Sequence, residues 1–442
     1  MMQSSGMNYD ERKGGIRKNM VEKFQGFPGM EDILPGVIEK WQWIEEKARI
    51  FFDAAGFKEI RTPLLEPTEL FVRSIGQTSD IVHKEMFSFK DRGERDMTLR
   101  PEMTASVARS VVEKGLLKQA KSLRLYYMGP MFRAERPQAG RKRQFHQIGA
   151  EIVNEDAASD LEIITLLYKF LQYAGLKSIR LNLNDLGEEA ERAKVRESLA
   201  AYFATEKARL CNDCQWRLEK NVLRVFDCKV PGCQPVIESA PWEKFFPLSD
   251  RFKVLGAKLE ASGVPYHVNR RLVRGLDYYN GVVFEITAEG LGAQNAVAGG
   301  GRYNNLYQEI GGNATPCTGF SIGMERLLTA IEAQDPKAYD ALKIRKVYFA
   351  PLEDDAAILR LCREQSLAAR EAGMRPETAH GVFSLSQHLK KANQQGLRFM
   401  VIVGPDELAK KIVVVKDLEK REQSEVGIEQ ILSHLKKVLN LC

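Results

Sequence analysis

Residues 125–151, LYYMGPMFRAERPQAGRKRQFHQIGAE, read as two strands joined by a basic loop. One face of the second strand carries aromatic and polar side chains at alternate positions, whereas the other face is mostly apolar. We predict that the apolar face, from His146 to Ile152, packs against a core and that the other face meets a ligand. The ligand-facing positions are Phe145, Gln147, Gly149 and Glu151.

Space and charge both favour a ligand at this hairpin. Gly149 suggests an empty place between Gln147 and Glu151, where a small polar molecule could lie flat on the sheet. From Lys121 to Arg143, seven basic residues stand against one acid, and the local net charge of +6 equals that of the entire chain. Such a focus is typical of a site for a polyphosphate or a nucleic-acid end. A solvated hairpin with a charged tip is the alternative.

Length and composition indicate an ordinary globular protein of several domains. At about 150 residues per domain, 442 residues suggest two to four domains, and 44% of the residues are hydrophobic. No apolar run reaches the roughly 18 residues of a membrane span, and we expect residues 1–22 to be a flexible polar tail without a secretion signal. Seven cysteines, four of them in one short window, fit a reducing cytoplasm better than a disulfide framework.

Two patterns precede the hairpin. A helix is predicted from about Val37 to Ala55, because apolar residues form a narrow stripe that suits either a partner surface or the core of the same chain. Further on, DMTLRPE at 96–102 is strand-like and leads into a helix, where Thr104 is a candidate cap and Glu102 a favourable first-turn acid. Both residues also lie where ligand contacts are common. The stripe consists of Val37, Trp41, Ile44, Ala48, Phe51 and Ala55.

Residues from about 185 to 252 are helical and charged, and we predict an inserted subdomain that separates two halves of one sheet. It contains a CxxC pair followed by a wider pair, which is typical of zinc ligands. A closed structural zinc site would suit a segment without a large core of its own. Four reduced thiols without a metal are the alternative. The four residues are Cys211, Cys214, Cys228 and Cys233.

Three further motifs follow the insertion. RGLDYYNG at 274–281 opens a strand, and AVAGGGRYNNL at 296–306 predicts a glycine turn where backbone can approach a ligand. GFSIGMERLLTAI at 319–331 predicts a strand entering a helix, with Arg326 in the first turn. A basic residue there opposes the helix dipole, so a bound phosphate would explain it. From residue 347, alternating strands and helices predict a small, mainly parallel α/β domain.

The segment FRAERPQAGRKRQFHQ at 132–147 resembles motif 2 of class II aminoacyl-tRNA synthetases, in the form found in the histidyl-tRNA synthetase family. The resemblance extends from about Phe24 to the C-terminus. The helix and strand closed by Pro63 resemble motif 1, RGLDYY resembles a histidine-specific signature, and residues 319–331 resemble motif 3. It implies an α+β fold, in which a class II antiparallel catalytic sheet is flanked by helices and followed by an α/β anticodon-binding domain. Motif 1 further implies a homodimer.

The expected domain boundaries follow from these motifs. They are a flexible tail at 1–22, the first half of the catalytic core with motifs 1 and 2 at 23–184, the helical insertion at 185–252, the second half with motif 3 at 253–335, a linker at 336–346, and the anticodon-binding domain at 347–442.

The resemblance implies a cytoplasmic histidine-tRNA ligase. Such an enzyme activates histidine with ATP, which is accompanied by magnesium, to give histidyl-adenylate and pyrophosphate, and then transfers histidine to the 3′ end of tRNA-His. Guanidinium groups suit the first step, because they stay charged and present paired donors to phosphate and carboxylate. A silent regulatory copy of the fold is the alternative, although such copies typically lose the signature arginines or the C-terminal domain.

Residue roles are also implied by the resemblance. Arg274 and Arg133 would be catalytic, and together with Glu151 they would border one cavity. The tip of the basic loop, with Arg136 and Gln138, would meet the acceptor end of the tRNA. The implied histidine-binding residues are Glu102, Thr104, Arg133, Gln147, Glu151, Arg274, Tyr278 and Tyr279. The implied ATP-binding residues are Arg133, Glu135, Arg141, Phe145, Arg274 and Arg326.

Overall fold

The computed structural model describes residues 24–439, except residues 78, 138–139, 157, 188, 229, 293–294, 341–345, 380 and 382. The tail expected over residues 1–22 lies outside the described residues, as does part of the linker expected over 336–346.

Strands occur in two groups along the chain. Those up to residue 323 are β1 Lys58–Glu59, β2 Leu65–Pro67, β3 Phe87–Lys90, β4 Asp96–Leu99, β5 Leu123–Phe132, β6 Gln144–Val153, β7 Ile179–Asp185, β8 Tyr266–Val268, β9 Asn280–Ala288, β10 Ala296–Arg302 and β11 Cys317–Gly323. Those of the C-terminal part are β12 Lys346–Pro351, β13 Arg375–Thr378, β14 Phe399–Val403, β15 Ile412–Asp417 and β16 Glu422–Gly427.

Helices lie between these strands and fill the insertion. They are α1 Ile38–Ala54, α2 Thr68–Ile75, α3 Thr104–Glu113, α4 Ala158–Ala174, α5 Glu189–Thr205, α6 Asn212–Lys220, α7 Gln234–Glu238, α8 Trp242–Phe245, α9 Asp250–Ala261, α10 Leu306–Glu309, α11 Met324–Gln334, α12 Ala356–Glu371, α13 Leu385–Gln394, α14 Pro405–Ala409 and α15 Ile431–Val438. A π-helical turn at Ile81–Glu85 and short 3₁₀ turns, including Val222–Asp227 and Pro231–Cys233, complete them.

The large sheet has the strand order β1-β5-β6-β11-β10-β9-β7-β8. Its outermost pairs are parallel, whereas every pair between them is antiparallel. The predicted hairpin is therefore β5 and β6, and β6 lies next to the centre of the sheet. Strands β2, β4 and β3 form a separate small sheet.

Both faces of the large sheet are covered. One face packs against α1, α4, α9 and α11, and it includes Ile148 and Ile152 from the apolar side of β6, as predicted. The other face packs against α3 and the helices of the insertion. The apolar stripe of α1 belongs to the first of these cores, because Trp41 and Ile44 are buried there. The middle of the stripe therefore packs within the chain, whereas Val37 and Ala55 at its two ends are exposed.

The C-terminal sheet has the order β13-β12-β14-β15-β16. The prediction of a mainly parallel sheet is wrong for half of it, since β12 runs parallel to β13 and β14, but β14, β15 and β16 are antiparallel. The sequence of β16, EQSEVG, has four exposed residues at its start and lacks the apolar alternation that indicates a strand.

In the described part of the chain, no helix has the length and hydrophobicity needed to cross a bilayer.

A buried ion pair ties α4 to the end of β10. Arg302 is 1% exposed, and its Nη2 lies 2.8 Å from Oδ1 of Asp160 in the first turn of α4. Its Nη2 also donates to Ser159 Oγ at 3.0 Å. Asp160 also pairs with Arg251 Nη2 at 3.3 Å, but the Arg251 side chain is 36% exposed, so loss of Arg302 leaves the buried carboxylate poorly compensated.

We therefore expect Arg302→Met to lower the free energy of unfolding by about 3–5 kcal/mol, measured by urea denaturation. Arg360→Ala is the control, because the Arg360–Glu364 pair at 2.8 Å is largely exposed and should contribute less than about 0.5 kcal/mol. Equal effects of the two substitutions would contradict the expectation.

Candidate active site

A cavity of about 310 Å³ opens where the β5–β6 hairpin meets the first turns of α3 and α11 and the segment before β9. Most residues proposed from the sequence line it, although they come from distant parts of the chain. Arg136 is exposed and outside the cavity wall, and Gln138 lies outside the described residues. The predicted residues in the wall are Glu102, Thr104, Arg133, Glu135, Arg141, Phe145, Gln147, Arg274, Tyr278, Tyr279 and Arg326.

Strand β6 supplies one wall through Phe145 and Gln147. The empty place expected at Gly149 is filled by Tyr127, the residue opposite it on β5. A Cβ atom on Gly149 would lie 2.3 Å from Cζ of the Tyr127 ring. The missing side chain therefore makes room for a tyrosine of the same chain, and the tyrosine itself lines the cavity.

The carboxyl group of Glu151 lies one layer deeper than the cavity wall. It is 1% exposed and accepts hydrogen bonds from Thr104 Oγ1 at 2.8 Å, from Tyr127 OH at 3.3 Å and from Tyr303 OH. Gly319 on β11 provides the space, because a Cβ atom there would overlap Glu151 Oε2. Burial raises the pKa of Glu151 to about 8, although the hydrogen bonds from Tyr303 and Thr104 favour the ionised form.

Of the three residues expected to border one cavity, Arg133 and Arg274 do so. Glu151 is separated from the cavity by Thr104 and Tyr127, which line the wall and donate hydrogen bonds to it. The difference follows from the filled space above Gly149.

Glu102 fixes the start of α3. Its carboxylate accepts hydrogen bonds from the backbone N–H groups of Thr104 at 2.7 Å and Ala105 at 2.9 Å. The Thr104 side chain, predicted as the cap, instead donates to Glu151. Burial raises the pKa of Glu102, while the two backbone N–H groups act in the opposite direction. Tyr278 OH donates to Glu102 at 3.4 Å, so this carboxylate lies within a buried polar cluster.

Three buried polar atoms in the cavity wall have no hydrogen-bond partner among the described residues, namely Arg274 Nε, Gln147 Oε1 and Glu135 Oε2. The last of these forms an ion pair with Arg141 Nη1 at 3.0 Å, so Arg274 Nε and Gln147 Oε1 are the two that stay open. The rest of each side chain is held, since Arg274 Nη1 donates to Glu285 Oε2 at 2.9 Å and Gln147 Nε2 donates to Ser321 Oγ at 3.4 Å. Buried polar atoms are almost always paired. One open donor and one open acceptor therefore indicate a ligand that carries both an acceptor group and a donor group.

The glycine turn predicted at 299–301 is wrong, because Gly299, Gly300 and Gly301 belong to β10 inside the sheet. A Cβ atom on Gly299 would lie 2.4 Å from Arg274 Nη2, and one on Gly300 would lie 2.1 Å from the carbonyl oxygen of Gly319. The missing side chains let the Arg274 guanidinium approach the strand and let β10 and β11 pack closely. The three glycines thus make room for other groups of the protein and not for a ligand.

Arg133 directly follows β5 and lines the cavity beside Phe145. Its guanidinium carbon lies 5.2 Å from the Phe145 ring centroid, and its Nε donates to the carbonyl oxygen of Pro101 at 3.0 Å. The cation–π contact and the hydrogen bond together fix the direction of the charge.

Two further arginines meet at the loop of the hairpin. Arg141 Nη1 lies 3.0 Å from Glu135 Oε2. Arg326 donates to the carbonyl oxygen of Gly140 from Nε at 3.0 Å and from Nη2 at 2.8 Å, and to that of Ala296 from Nη1 at 2.9 Å. Burial lowers the pKa of Arg326, and neighbouring Arg141 acts in the same direction. Four guanidinium groups therefore converge on one cavity.

Several residues of this site escaped the sequence analysis, namely Tyr127, Tyr303, Glu285 and Ser321. Glu285 had a signal, because it is the one charged residue in the apolar run VVFEIT, and it pairs in register with Gly299. Tyr303 follows the three glycines directly. Nothing in the local sequence indicates that its hydroxyl reaches Glu151.

The four cysteines of the insertion come together. Their sulfur atoms lie within 4.8 Å of one another, and the Cys211 and Cys228 sulfurs are 3.9 Å apart. All four thiols are free of disulfide bonds. This cluster lies outside the cavity wall and forms a separate site.

Comparisons with known proteins identify the family of the chain. A family profile described as histidyl-tRNA synthetase matches residues 29–327, and one described as an anticodon binding domain matches residues 346–438. The histidine-tRNA ligase of Desulforamulus reducens is 42% identical over 417 residues, covering 92% of this chain and 98% of the relative. That of Fervidobacterium nodosum is 42% identical over 422 residues, covering 94% and 99%.

Solved structures give the same fold. The crystal structure of apo S. aureus histidyl-tRNA synthetase is 29% identical, with a TM-score of 0.71, and the match covers 94% of this chain and 100% of that one. A Bacillus halodurans structure, described as an ATP phosphoribosyltransferase regulatory subunit/histidyl-tRNA synthetase, is 23% identical with a TM-score of 0.60 and supports the fold alone.

The raised pKa of Glu151 predicts a pH dependence of stability. The folded protein holds this proton up to about pH 8, whereas the unfolded chain releases it near the ordinary value of 4.5. Raising the pH between these values therefore favours unfolding. We expect the free energy of unfolding of the wild type, minus that of Glu151→Gln, to fall between pH 5 and 8 by at most about 1.4 kcal/mol per unit. A constant difference in urea denaturation across this range would contradict it.

Proposed function

Because the chain belongs to the histidyl-tRNA synthetase family, we propose that its cavity joins histidine to ATP as histidyl-adenylate, with release of pyrophosphate, and then transfers histidine to the 3′ end of tRNA-His. The chain is thus a histidine-tRNA ligase, an aminoacyl-tRNA synthetase. The contacts in the cavity support the roles of individual residues.

The observation that carries the proposal is the pair of open polar atoms in the cavity wall. Gln147 Oε1 is an acceptor and Arg274 Nε is a donor, and neither has a partner among the described residues. An amino-acid zwitterion would satisfy both, since its ammonium group donates and its carboxylate accepts. We assign Gln147, Glu102 and Thr104 to the ammonium group and Arg274 to the carboxylate.

Glu151 and Tyr279 are proposed to hold the two nitrogens of the imidazole ring. Tyr279 lines the cavity, and burial raises its pKa to about 12, so its hydroxyl stays protonated. Glu151 is bonded to Thr104, Tyr127 and Tyr303, so a contact with imidazole requires that one of these hydrogen bonds is exchanged for one from the ring. A substrate without ring nitrogens would leave these buried groups unpaired, which can give discrimination of about 10⁴ to 10⁵.

The arginines are proposed to carry the chemistry with ATP. Arg133 and Arg274 would hold the α-phosphate and offset the charge that develops as the histidine carboxylate attacks it. Arg141 and Arg326 would meet the outer phosphates. Fixed guanidinium groups need no rearrangement at that moment, and the contacts of Arg133 with Pro101 show such fixing.

The base of ATP is proposed to stack on Phe145, with Arg326 on its other face and Glu135 reading its edge. Phe145 and Glu135, which belong to the β5–β6 hairpin, both line the cavity. Magnesium would accompany the outer phosphates and neutralise their charge, and the Glu285 carboxylate in the cavity wall provides oxygen donors of the kind that this ion prefers. For the four-cysteine cluster we propose zinc, because thiolates are preferred ligands of structural zinc.

The remaining assignments concern larger partners and location. The C-terminal sheet belongs to an anticodon-binding domain, and Arg136 and Gln138 are proposed to meet the acceptor end of tRNA-His. We also propose a cytoplasmic homodimer that uses the motif 1 region. Its support is a set of exposed apolar side chains in and near that region, namely Phe27, Leu34, Val37, Ile50, Leu64 and Phe89.

The activity is tested by pyrophosphate exchange into ATP. We expect exchange with histidine but not with threonine or proline, and we expect Arg274→Ala to lower kcat/KM at least about 100-fold, because a preorganised charge donor is lost. Arg271→Ala is the matched control, since Arg271 is three residues away, is half exposed and pairs with Glu238 at 3.5 Å.

The outcomes separate the alternatives. Exchange driven by threonine or proline would indicate another class II enzyme, and the absence of exchange would favour a binding module. Equal activity of Arg274→Ala and Arg271→Ala, with unchanged circular dichroism, would remove Arg274 from the mechanism.

Binding of tRNA at the basic loop is tested by its salt dependence. We expect Arg136→Ala to weaken tRNA-His binding and to reduce the slope of log affinity against log salt by about 0.7–0.9, as one lost phosphate contact requires. Arg360→Ala, on the exposed face of α12, should leave the slope unchanged. An unchanged slope for Arg136→Ala would remove this residue from the interface.

A further inference from the structure

The cysteine cluster has the geometry of a metal site and not that of a disulfide. A disulfide requires sulfur atoms about 2.05 Å apart, whereas the Cys211 and Cys228 sulfurs lie 3.9 Å apart. Zinc–sulfur bonds of about 2.3 Å in a tetrahedron place the sulfurs about 3.8 Å apart. All four sulfurs lie within 4.8 Å of one another, and the side chains are buried except for that of Cys211.

Backbone donors already point at two of these sulfurs. The N–H of Cys211 donates to Cys233 Sγ at 3.2 Å, and that of Val230 donates to Cys228 Sγ at 3.4 Å. Such hydrogen bonds stabilise thiolate ligands and fix their direction. The cluster is therefore a preformed cage of four sulfur atoms.

The chain between the second and third cysteines holds the loop that precedes β9. Asn221 Nδ2 donates to Asp277 Oδ1 at 3.2 Å, and Arg224 Nη2 donates to the same oxygen at 3.0 Å. Arg224 is 5% exposed and the Asp277 side chain is 30% exposed, so this contact is partly shielded from water. Asp277 is followed directly by Tyr278 and Tyr279, which line the cavity.

The loop has a second anchor, which is a hydrogen bond from the Asp277 backbone N–H to the carbonyl oxygen of Ile75 at 3.1 Å. Gly76 makes room for it, since a Cβ atom there would lie 2.2 Å from Asp277 Oδ2. The side chain of Asp277 thus accepts hydrogen bonds from the insertion, and its backbone N–H donates one to the end of α2. Only the side-chain hydrogen bonds depend on the segment between the cysteines.

We propose that one zinc ion bound by Cys211, Cys214, Cys228 and Cys233 closes this segment and thereby positions Tyr278 and Tyr279 for the amino acid, through Asn221, Arg224 and Asp277. The inference deepens the proposed function and rests on it. Asp277 and Arg224 are positioning residues, because they touch the tyrosine loop and do not line the cavity.

The metal is tested on the full-length protein purified without a metal-affinity step. We expect elemental analysis to find about one zinc ion per chain, and we expect Cys214→Ser to lose it. Cys362→Ser is the control, since Cys362 is a buried thiol of the C-terminal part and belongs to no cluster in the described chain. Protein isolated without zinc, whether with four free thiols or with a disulfide, would overturn the proposal.

The coupling is tested by steady-state exchange kinetics. Removing zinc with a chelator should raise the KM for histidine about ten-fold or more, leave the KM for ATP within about two-fold, and be reversed by zinc chloride. Arg224→Ala should produce the same change while keeping its zinc. Arg209→Ala, an exposed arginine of the same insertion paired with Glu206 at 2.8 Å, should change neither constant.

The Arg224 variant keeps the test informative if the zinc-free protein unfolds. Zinc-loaded Arg224→Ala with an unchanged KM for histidine would overturn the coupling. Failure of the proposed function is distinct, because it would appear as zinc-loaded wild-type protein without histidine-dependent exchange.

Discussion

Four elements of the fold meet at one buried carboxyl group. Glu151 of β6 accepts hydrogen bonds from Thr104 at the start of α3, from Tyr127 of β5 and from Tyr303 just after β10. An acid at this depth is tolerated because these hydroxyls surround it, and burial still holds its proton to an unusually high pH. The same bonds lock the two cavity-wall residues Thr104 and Tyr127. The shape of the wall therefore depends on a carboxyl group that lies one layer behind it.

Glycines make room for this close packing of polar side chains around the cavity. Gly149, Gly299 and Gly319 lie on the three neighbouring strands β6, β10 and β11, and each one lacks a side chain where a functional group of the protein passes. Tyr127, Arg274 and Glu151 respectively occupy those places. A sheet that must carry charged groups on one face and a continuous core on the other can meet both demands in this way.

The sequence predicted the elements well where patterning was strong. The β5–β6 hairpin and α1 follow from alternation and from a helical stripe, and the convergence of Arg133 and Arg274 followed from their motifs. Prediction from the sequence failed where residues distant in the chain determine the local structure. The triple glycine looked like a turn because glycine is a weak strand former, and its role appears only when Arg274 is placed beside it.

The sequence also failed to predict how deeply the Glu151 side chain is buried. Alternation along β6 places Glu151 on the same face as Gln147, but only the position of Tyr127 on the next strand shows that Glu151 lies beneath the wall. The polar strand β16 was missed because an edge strand needs little apolar surface.

The order of strands in the large sheet has a consequence for how the protein is made. Gln147 on β6 donates a hydrogen bond to Ser321 on the neighbouring strand β11, yet the two residues are separated by 174 residues of chain. On a ribosome that releases residues one after another, the β5–β6 hairpin emerges long before the strand that must cover its open edge. The nascent chain therefore carries an unpaired β edge through the synthesis of the whole insertion, and its folding is slow and exposed to aggregation until residue 323 appears.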